Sequence, residues 1–121
     1  MNRQRFVSLV RGFGPVLFLC FAVSSLNAAE TAQPVPSADR QAQLIRLVRD
    51  DCGSCHGLTL KGGLGTPLTP DAIAGKQDML LRETILRGRA GTAMPGWSDF
   101  MNESEAQWIV DQLQTGFPNA H

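Results

Sequence analysis

Cysteine and histidine are scarce in this chain, which limits the metal sites that it can build. The 121 residues include three cysteines and two histidines, and equal numbers of acidic and basic residues give a formal net charge of zero. Balanced charge gives no indication of a nucleic-acid partner. Strand-like alternation, internal repeats and low-complexity tracts are also missing from the sequence. These absences leave one small all-α domain with long loops as the prediction.

The N-terminal region predicts export from the cytoplasm. Three arginines among the first eleven residues precede an uncharged run, residues 12–29, which ends in small residues. This order is typical of a secretory signal peptide, and we predict residues 1–29 as the signal, with cleavage after Ala29. An uncleaved anchor is the alternative, but the apolar part is shorter than the roughly 20 residues that a span needs. We therefore expect a periplasmic protein with no stable membrane span after cleavage.

Signal cleavage changes both the charge and the cysteine count. It removes three of eleven basic residues and none of the eleven acidic ones, which leaves eight against eleven and a net charge of −3. Cys20 leaves with the signal, so Cys52 and Cys55 are the only cysteines of the mature chain. A disulfide between them would close a tiny loop and contribute little. Because so short a chain usually needs a staple or a large bound group, we expect a bound group to complete the core.

Cap residues predict the helices and the domain boundaries. The predicted helices are 38–50 after Ser37, a short one from Thr69 and Pro70 to about Gly75, 78–87 before Gly88, and one from Asn102 and Glu105 to Gly116. Residues 30–36 are predicted to be a flexible leader and residues 118–121 a C-terminal tail. The folded domain is then 37–117.

The strongest chemical signal is the run Cys52-Gly53-Ser54-Cys55-His56. Two thiols three positions apart can each add to a vinyl group of a haem, and the adjacent imidazole can then bind the iron. A thioredoxin-like pair would need strands around it, and zinc would need a second Cys/His pair. The other histidine is His121, the terminal residue, so neither alternative is supported. We interpret the run as a covalent haem attachment site.

A second axial ligand for the iron can come from three methionines of the mature chain, Met79, Met94 and Met101. Met79 and Met101 lie at predicted helix starts, where methionine is more often a packing residue. Met94 lies in a loop and precedes Pro95, which restricts Met94 to an extended backbone that can hold its thioether inward. We predict Met94 as the ligand opposite His56.

The order of these features resembles the class I cytochromes c over residues 37–117. Within that class, residues 51–65 resemble the cytochrome c55X family, which is encoded with the haem-d nitrite reductase of denitrifying bacteria. The resemblance implies an all-α class I cytochrome c fold, with three to four helices and long loops around one covalent haem c. It implies that Cys52 and Cys55 form the thioethers, and that His56 and Met94 bind the iron.

The resemblance also implies a function. The chain is expected to be a monomeric electron carrier, not an enzyme, that passes single electrons to redox partners such as haem-d nitrite reductase. The alternative is a redox or assembly factor in the maturation of the d-type haem of that reductase. A haem enzyme or sensor with an open iron is a third possibility, against which Met94 argues.

Two departures from the class pattern lead to further expectations. Leu44 and Val48 stand where the first helix usually has a glycine and an aromatic residue, which puts a close crossing with the last helix in doubt. Trp108 is expected to fill the gap instead. In the class, a proline carbonyl accepts the Nδ1–H of the proximal histidine. Counting back from Leu68, Thr66 occupies that position here, so we predict the Thr66 carbonyl as the acceptor for His56, with the Pro67 carbonyl as the second choice.

Four other side chains have more than one interpretation. Trp97 is expected to pack on the haem or to be an ordinary core residue. Arg82, Arg87 and Arg89 could face a haem propionate or a partner, although a solvated face is the more common meaning of such charges.

Overall fold

The computed structural model describes residues 34–118, which contain five α-helices and no strand. The helices are α1 (Ala38–Leu47), α2 (Gly53–His56), α3 (Pro70–Ile73), α4 (Asp78–Arg87) and α5 (Glu103–Thr115). The predicted signal peptide, most of the leader and most of the tail, with His121, lie outside the described residues. None of the described helices is long and apolar enough to cross a membrane. The all-α prediction is confirmed.

The first helix begins where predicted but runs further along the chain. Ser37 Oγ accepts a hydrogen bond from the Arg40 N–H at 3.4 Å. Beyond α1 a π-helical segment (Val48–Cys52) leads directly into α2, and the Gly53 N–H donates to the carbonyl of Val48, five residues back. The helical path ends only at Gly57, whose φ is +85°. As a result the cysteines and His56 lie on the last turns of one continuous helical segment.

Four further helix ends fall at the predicted signal residues: the starts of α3 and α5 and the ends of α4 and α5. Pro70 is the first residue of α3, and Gly88, with φ of +72°, follows α4. The capping box of α5 is complete: Asn102 Oδ1 accepts from the Glu105 N–H at 3.0 Å, and Glu105 Oε2 accepts from the Asn102 N–H at 2.9 Å. Cap signals are reliable because the hydrogen bonds that they form are local.

The core draws on α1 and the π-helical segment, on α3, α4 and α5, and on the loops between them. Its buried members are Leu44, Val48, Leu60, Ile73, Leu86, Met101, Ala106, Trp108, Ile109 and Leu113. Leu44 and Val48 are both fully buried, and Trp108 is buried in the same cluster. The small residue of the cluster is on the last helix, where Ala106 is fully buried.

An ion pair that the sequence did not indicate joins the beginnings of α1 and α5. Arg40 Nε donates to Glu105 Oε1 at 2.6 Å, and Arg40 Nη2 donates to Glu105 Oε2 at 3.2 Å and to the Phe100 carbonyl at 2.7 Å. The hydrogen bond from Arg40 holds the pKa of the Glu105 carboxyl below its usual range, against an opposing effect of burial. One carboxylate therefore caps α5 and ties it to α1.

Candidate functional site

A cavity of about 610 Å³ lies between the helices and two of the loops. Its volume falls within the range of roughly 300–1,000 Å³ that is usual for small-molecule and cofactor sites. Most of the lining is apolar, as for Val48, Ile85 and Ile109, and three of the predicted site residues contribute to it: Cys52, His56 and Met94. The structure thus brings together the candidate residues of two distant segments of the chain.

His56 is oriented by the loop that follows α2, residues 57–69, which we call the proximal loop. His56 Nδ1 lies 2.6 Å from the carbonyl oxygen of Thr66. A carbonyl only accepts, so the Nδ1 nitrogen carries the proton and donates, which leaves Nε2 free to bind a metal. The prediction of Thr66 as the acceptor is confirmed.

Glycines allow the proximal loop to reach the imidazole. The Gly62 N–H donates to the His56 carbonyl and the Gly65 N–H to the Cys55 carbonyl, each at 2.8 Å, so the loop caps the end of α2. A Cβ on Gly65 would lie 2.8 Å from His56 Nδ1 and 2.9 Å from Cε1. Gly65 is therefore required by its contact with the imidazole ring and not by a left-handed backbone.

The two cysteines have different surroundings. Cys52 is half-buried and lines the cavity, whereas Cys55 is exposed and is not among the lining residues. Burial, with a smaller contribution from the Asp51 carboxylate, raises the pKa of the Cys52 thiol to about 11. Before haem is attached, Cys52 is therefore protonated at neutral pH, and no disulfide joins it to Cys55.

Met94 lies on the loop that follows α4, residues 88–98, which we call the methionine loop. The Arg89 N–H donates to the Met94 carbonyl at 3.2 Å, and the Trp97 N–H donates to the Leu86 carbonyl at 3.0 Å. A Cβ on Gly88 would lie 2.6 Å from the Met94 carbonyl oxygen. The loop thus rests directly on the end of α4, which places half-buried Met94 at the cavity wall.

The other two methionines differ in position. Met79 is 61% exposed and does not line the cavity. Met101 does line it, but its side chain is buried in the core cluster. Of the three, Met94 alone combines a loop position, partial exposure and a place at the cavity, so it stays our predicted second ligand.

The structure separates the aromatic and basic candidates. Trp97 is absent from the cavity lining; it packs against the core, with its ring centroid 5.5 Å from that of Phe100, as the core interpretation expected. Arg87 pairs with Glu83, and Arg82 Nη1 donates to Gln107 Oε1 at 3.4 Å. Neither arginine lines the cavity.

Two basic residues do line the cavity, Arg89 and Lys76. Arg89 was one of the predicted candidates, whereas sequence reasoning missed Lys76. Lys76 lies between α3 and α4, outside any helical stripe, so its spacing gave no signal of where its side chain would be.

The donors present suit a haem. Two thiols three positions apart, an imidazole with a free Nε2, a thioether and apolar walls are the chemistry of haem c attachment and ligation. Cys52, Cys55, His56 and Met94 could supply these donors. Among residues 34–118, no group of three or more Cys, His, Asp or Glu side chains could hold a metal ion instead.

Comparison with known proteins agrees with this chemistry. The family model described as cytochrome c oxidase, cbb3-type, subunit III matches residues 39–112. Cytochrome c55X of Stutzerimonas stutzeri is 51% identical over 83 residues, which cover 69% of this chain and 74% of that protein.

Two solved structures are also similar to the chain. That of the c-type cytochrome NirC has a TM-score of 0.65 and 51% identity, and the match covers 66% of this chain and 94% of NirC. That of the dihydro-heme d1 dehydrogenase NirN in complex with DHE has a TM-score of 0.55 and 32% identity, and the match covers 61% of this chain but 16% of NirN. With these matches, the chain belongs to the family of c-type cytochrome domains of cbb3-type oxidase subunit III and to the cytochrome c55X family, and it holds haem c covalently.

Proposed function

We propose that this c-type cytochrome carries single electrons in the periplasm on one haem c, attached through Cys52 and Cys55 and bound by His56 and Met94. The observation that carries the proposal is the His56 Nδ1–Thr66 O distance of 2.6 Å in a cavity that Met94 also lines. The bound haem supplies a one-electron iron couple, and a neutral sulfur ligand favours its ferrous form.

The arrangement of the chain's own residues supports a carrier over a catalyst. His56 and Met94 would both bind the iron of the haem, which favours electron transfer over substrate binding at the iron. The loops that hold these residues are both fixed to helix ends by backbone hydrogen bonds. Cys55 is exposed, so the attachment site reaches the protein surface, where a redox partner can approach.

Attachment through the cysteines can be tested directly. The double variant Cys52→Ser, Cys55→Ser, exported with the haem-attachment machinery, should accumulate little mature holoprotein, because the haem is cofactor and core at once. The measurement is haem-stained gel and absorbance of the periplasmic fraction, with Ser54→Ala as the matched control inside the motif. A stable folded haem-free double variant would contradict the proposal.

The proposed acceptor is haem-d nitrite reductase. Support comes from membership of the cytochrome c55X family and from the basic, apolar and small-residue order of residues 1–29, which favours export. Stopped-flow mixing of the reduced holoprotein with oxidised nitrite reductase should show saturable electron transfer, and the rate should fall as salt screens the docking charges. Transfer no faster than to an unrelated acidic redox protein would count against this partner.

A role in d-haem maturation is the second candidate, and the likeness to dihydro-heme d1 dehydrogenase NirN favours it. The two roles differ in what a gene deletion removes. If the chain acts in maturation, nitrite reductase from the deletion strain lacks its d-type haem. If the chain acts as the carrier, the reductase contains the d-type haem but receives electrons slowly.

A further inference from the structure

Two cations line the haem cavity, one beyond each end of α4. Lys76 precedes the helix and Arg89 follows it. Within the part of the chain that the structure describes, no acidic residue lines the cavity, and apart from His56 these are its only ionisable bases. Such a lining suits a ligand with an apolar body and anionic groups at its edge.

The two cations differ in what they already bind. Lys76 Nζ donates to the Ala72 carbonyl at 2.9 Å and so stabilises the end of α3. The backbone of Arg89 is fixed, because its N–H donates to the Met94 carbonyl at 3.2 Å and its carbonyl accepts from the Thr92 N–H at 3.1 Å. Its guanidinium forms no hydrogen bond or ion pair with any residue in the described range 34–118. The five N–H donors of the guanidinium are therefore available, and the backbone that carries the side chain is fixed.

Arg87 gives an internal comparison, since it lies two residues away with the same charge. It is on the last turn of α4, pairs with Glu83 one turn earlier, and is absent from the cavity lining. Arg89 lies past the helix end, where Gly88 with φ of +72° turns the chain towards the cavity. The glycine separates a surface arginine from a cavity arginine.

We propose that Arg89 binds a propionate of the haem. A haem carries two carboxylates on one edge, and a carboxylate beside an apolar cavity needs a cation or hydrogen-bond donors to offset its lost hydration. A guanidinium can meet both needs, with two parallel N–H donors. Arg89 would then hold the haem edge and offset the propionate charge that otherwise favours ferric iron. The proposal depends on the haem, which the family shows, and not on the identity of any redox partner.

The test uses the holoprotein and the matched pair Arg89→Gln and Arg87→Gln. Spectroelectrochemical titration between about pH 5 and 8 should show a lower midpoint potential in Arg89→Gln, and a steeper rise of the potential as pH falls, because the unpaired propionate protonates more readily. Resonance Raman bands of propionate bending should shift in the same variant. Arg87→Gln should leave both signatures near wild type, and Arg89→Lys should restore part of each.

Three outcomes would overturn the proposal. Equal potential shifts in Arg87→Gln and Arg89→Gln would mean a general surface-charge effect. Unchanged potential and Raman bands in Arg89→Gln, together with slower electron transfer to nitrite reductase, would mean a docking residue. A larger shift in Lys76→Gln than in Arg89→Gln would place the propionates at the other end of α4.

Discussion

Two loops face the haem cavity, the proximal loop after α2 and the methionine loop after α4, and they support their side chains in different ways. Each folds back on the end of its helix through glycines and backbone hydrogen bonds. The proximal loop also contacts the side chain of His56 itself. The Thr66 carbonyl accepts from Nδ1, and Gly65 lies so close to the ring that a Cβ would not fit. The methionine loop places only the backbone of Met94.

This difference indicates which substitutions should disturb iron ligation by His56 and which should disturb ligation by Met94. The imidazole of His56 is fixed at its far nitrogen, so its orientation depends on the proximal loop at atomic distances. The thioether of Met94 has rotatable bonds, and the methionine loop holds Met94 only through its backbone. We therefore expect iron ligation by Met94 to survive substitutions of its neighbours in the methionine loop but not of Met94 itself. Ligation by His56 should be sensitive to substitutions in the proximal loop.

The largest expected effect is that of Met94→Ala. Without the thioether, the weak sulfur-to-iron charge-transfer band of the oxidised protein should vanish and the reduced protein should bind carbon monoxide, because no other loop side chain replaces the sulfur. Absorbance spectra measure both. Met79→Ala is the exposed control, and Met101→Leu is preferred to alanine because Met101 is buried. An unchanged band in Met94→Ala would exclude Met94, and a band lost in Met101→Leu as well would assign the ligand to Met101.

Gly65→Ala should have the next largest effect. The added methyl group would meet the His56 ring at under 3 Å, and overpacking of this kind costs about 1–3 kcal/mol. Gly75→Ala is the control: nothing lies within 4 Å of its Cβ, but its φ is +74°, so strain costs about 1–2 kcal/mol there. Stability should fall in both variants, measured by denaturant unfolding. Only Gly65→Ala should change the electron paramagnetic resonance signature of the bound imidazole, and equal spectra would show that the loop does not orient His56.

The Arg40–Glu105 pair supports the chain just after the methionine loop, because Arg40 also donates to the Phe100 carbonyl. The pKa of Glu105 is lowered in the folded protein, so its contribution to stability is present above the unfolded pKa of about 4.3 and is lost as pH falls through the folded value. Glu105→Gln should lower the free energy of unfolding by about 1–2 kcal/mol at pH 7, and the deficit should shrink in acid. Glu103→Gln, exposed in the same first turn, is the matched control. A deficit independent of pH would show that the charge contributes nothing.

Local signals in the sequence predicted much of this structure. Cap residues gave the start of α1, the end of α4 and the start of α5, because capping bonds span a few residues. The run from Cys52 to His56, together with the export signal and the absence of other cysteines in the mature chain, predicted the haem chemistry. Counting back from Leu68 gave the Thr66 acceptor, since the class pattern fixes the loop relative to that leucine.

What the sequence did not predict depends on contacts between distant segments. No local stop signal precedes Gly57, and whether Val48–Cys52 continues as a π-helix is decided by packing. The partners Arg40 and Glu105 are 65 residues apart. Periodicity also could not separate Arg89 from Arg87, because the chain turns at Gly88 and leaves the helical repeat.

The smallest effect is expected from moving the proline of the proximal loop. In the double variant Thr66→Pro, Pro67→Ala, residue 66 keeps its carbonyl, and no hydrogen bond from the Thr66 N–H to the backbone is present among the described residues. Because the bond to His56 Nδ1 comes from the backbone, the visible and paramagnetic resonance spectra should match wild type, with a stability change within about 1 kcal/mol. Thr66→Val is the control that removes only the hydroxyl, and it should also leave the spectra unchanged. If the double variant alters the imidazole signature while Thr66→Val does not, the acceptor depends on the position of Pro67. The carbonyl alone would then be insufficient, and the proximal loop would be as sensitive to backbone shape as it is to the size of Gly65.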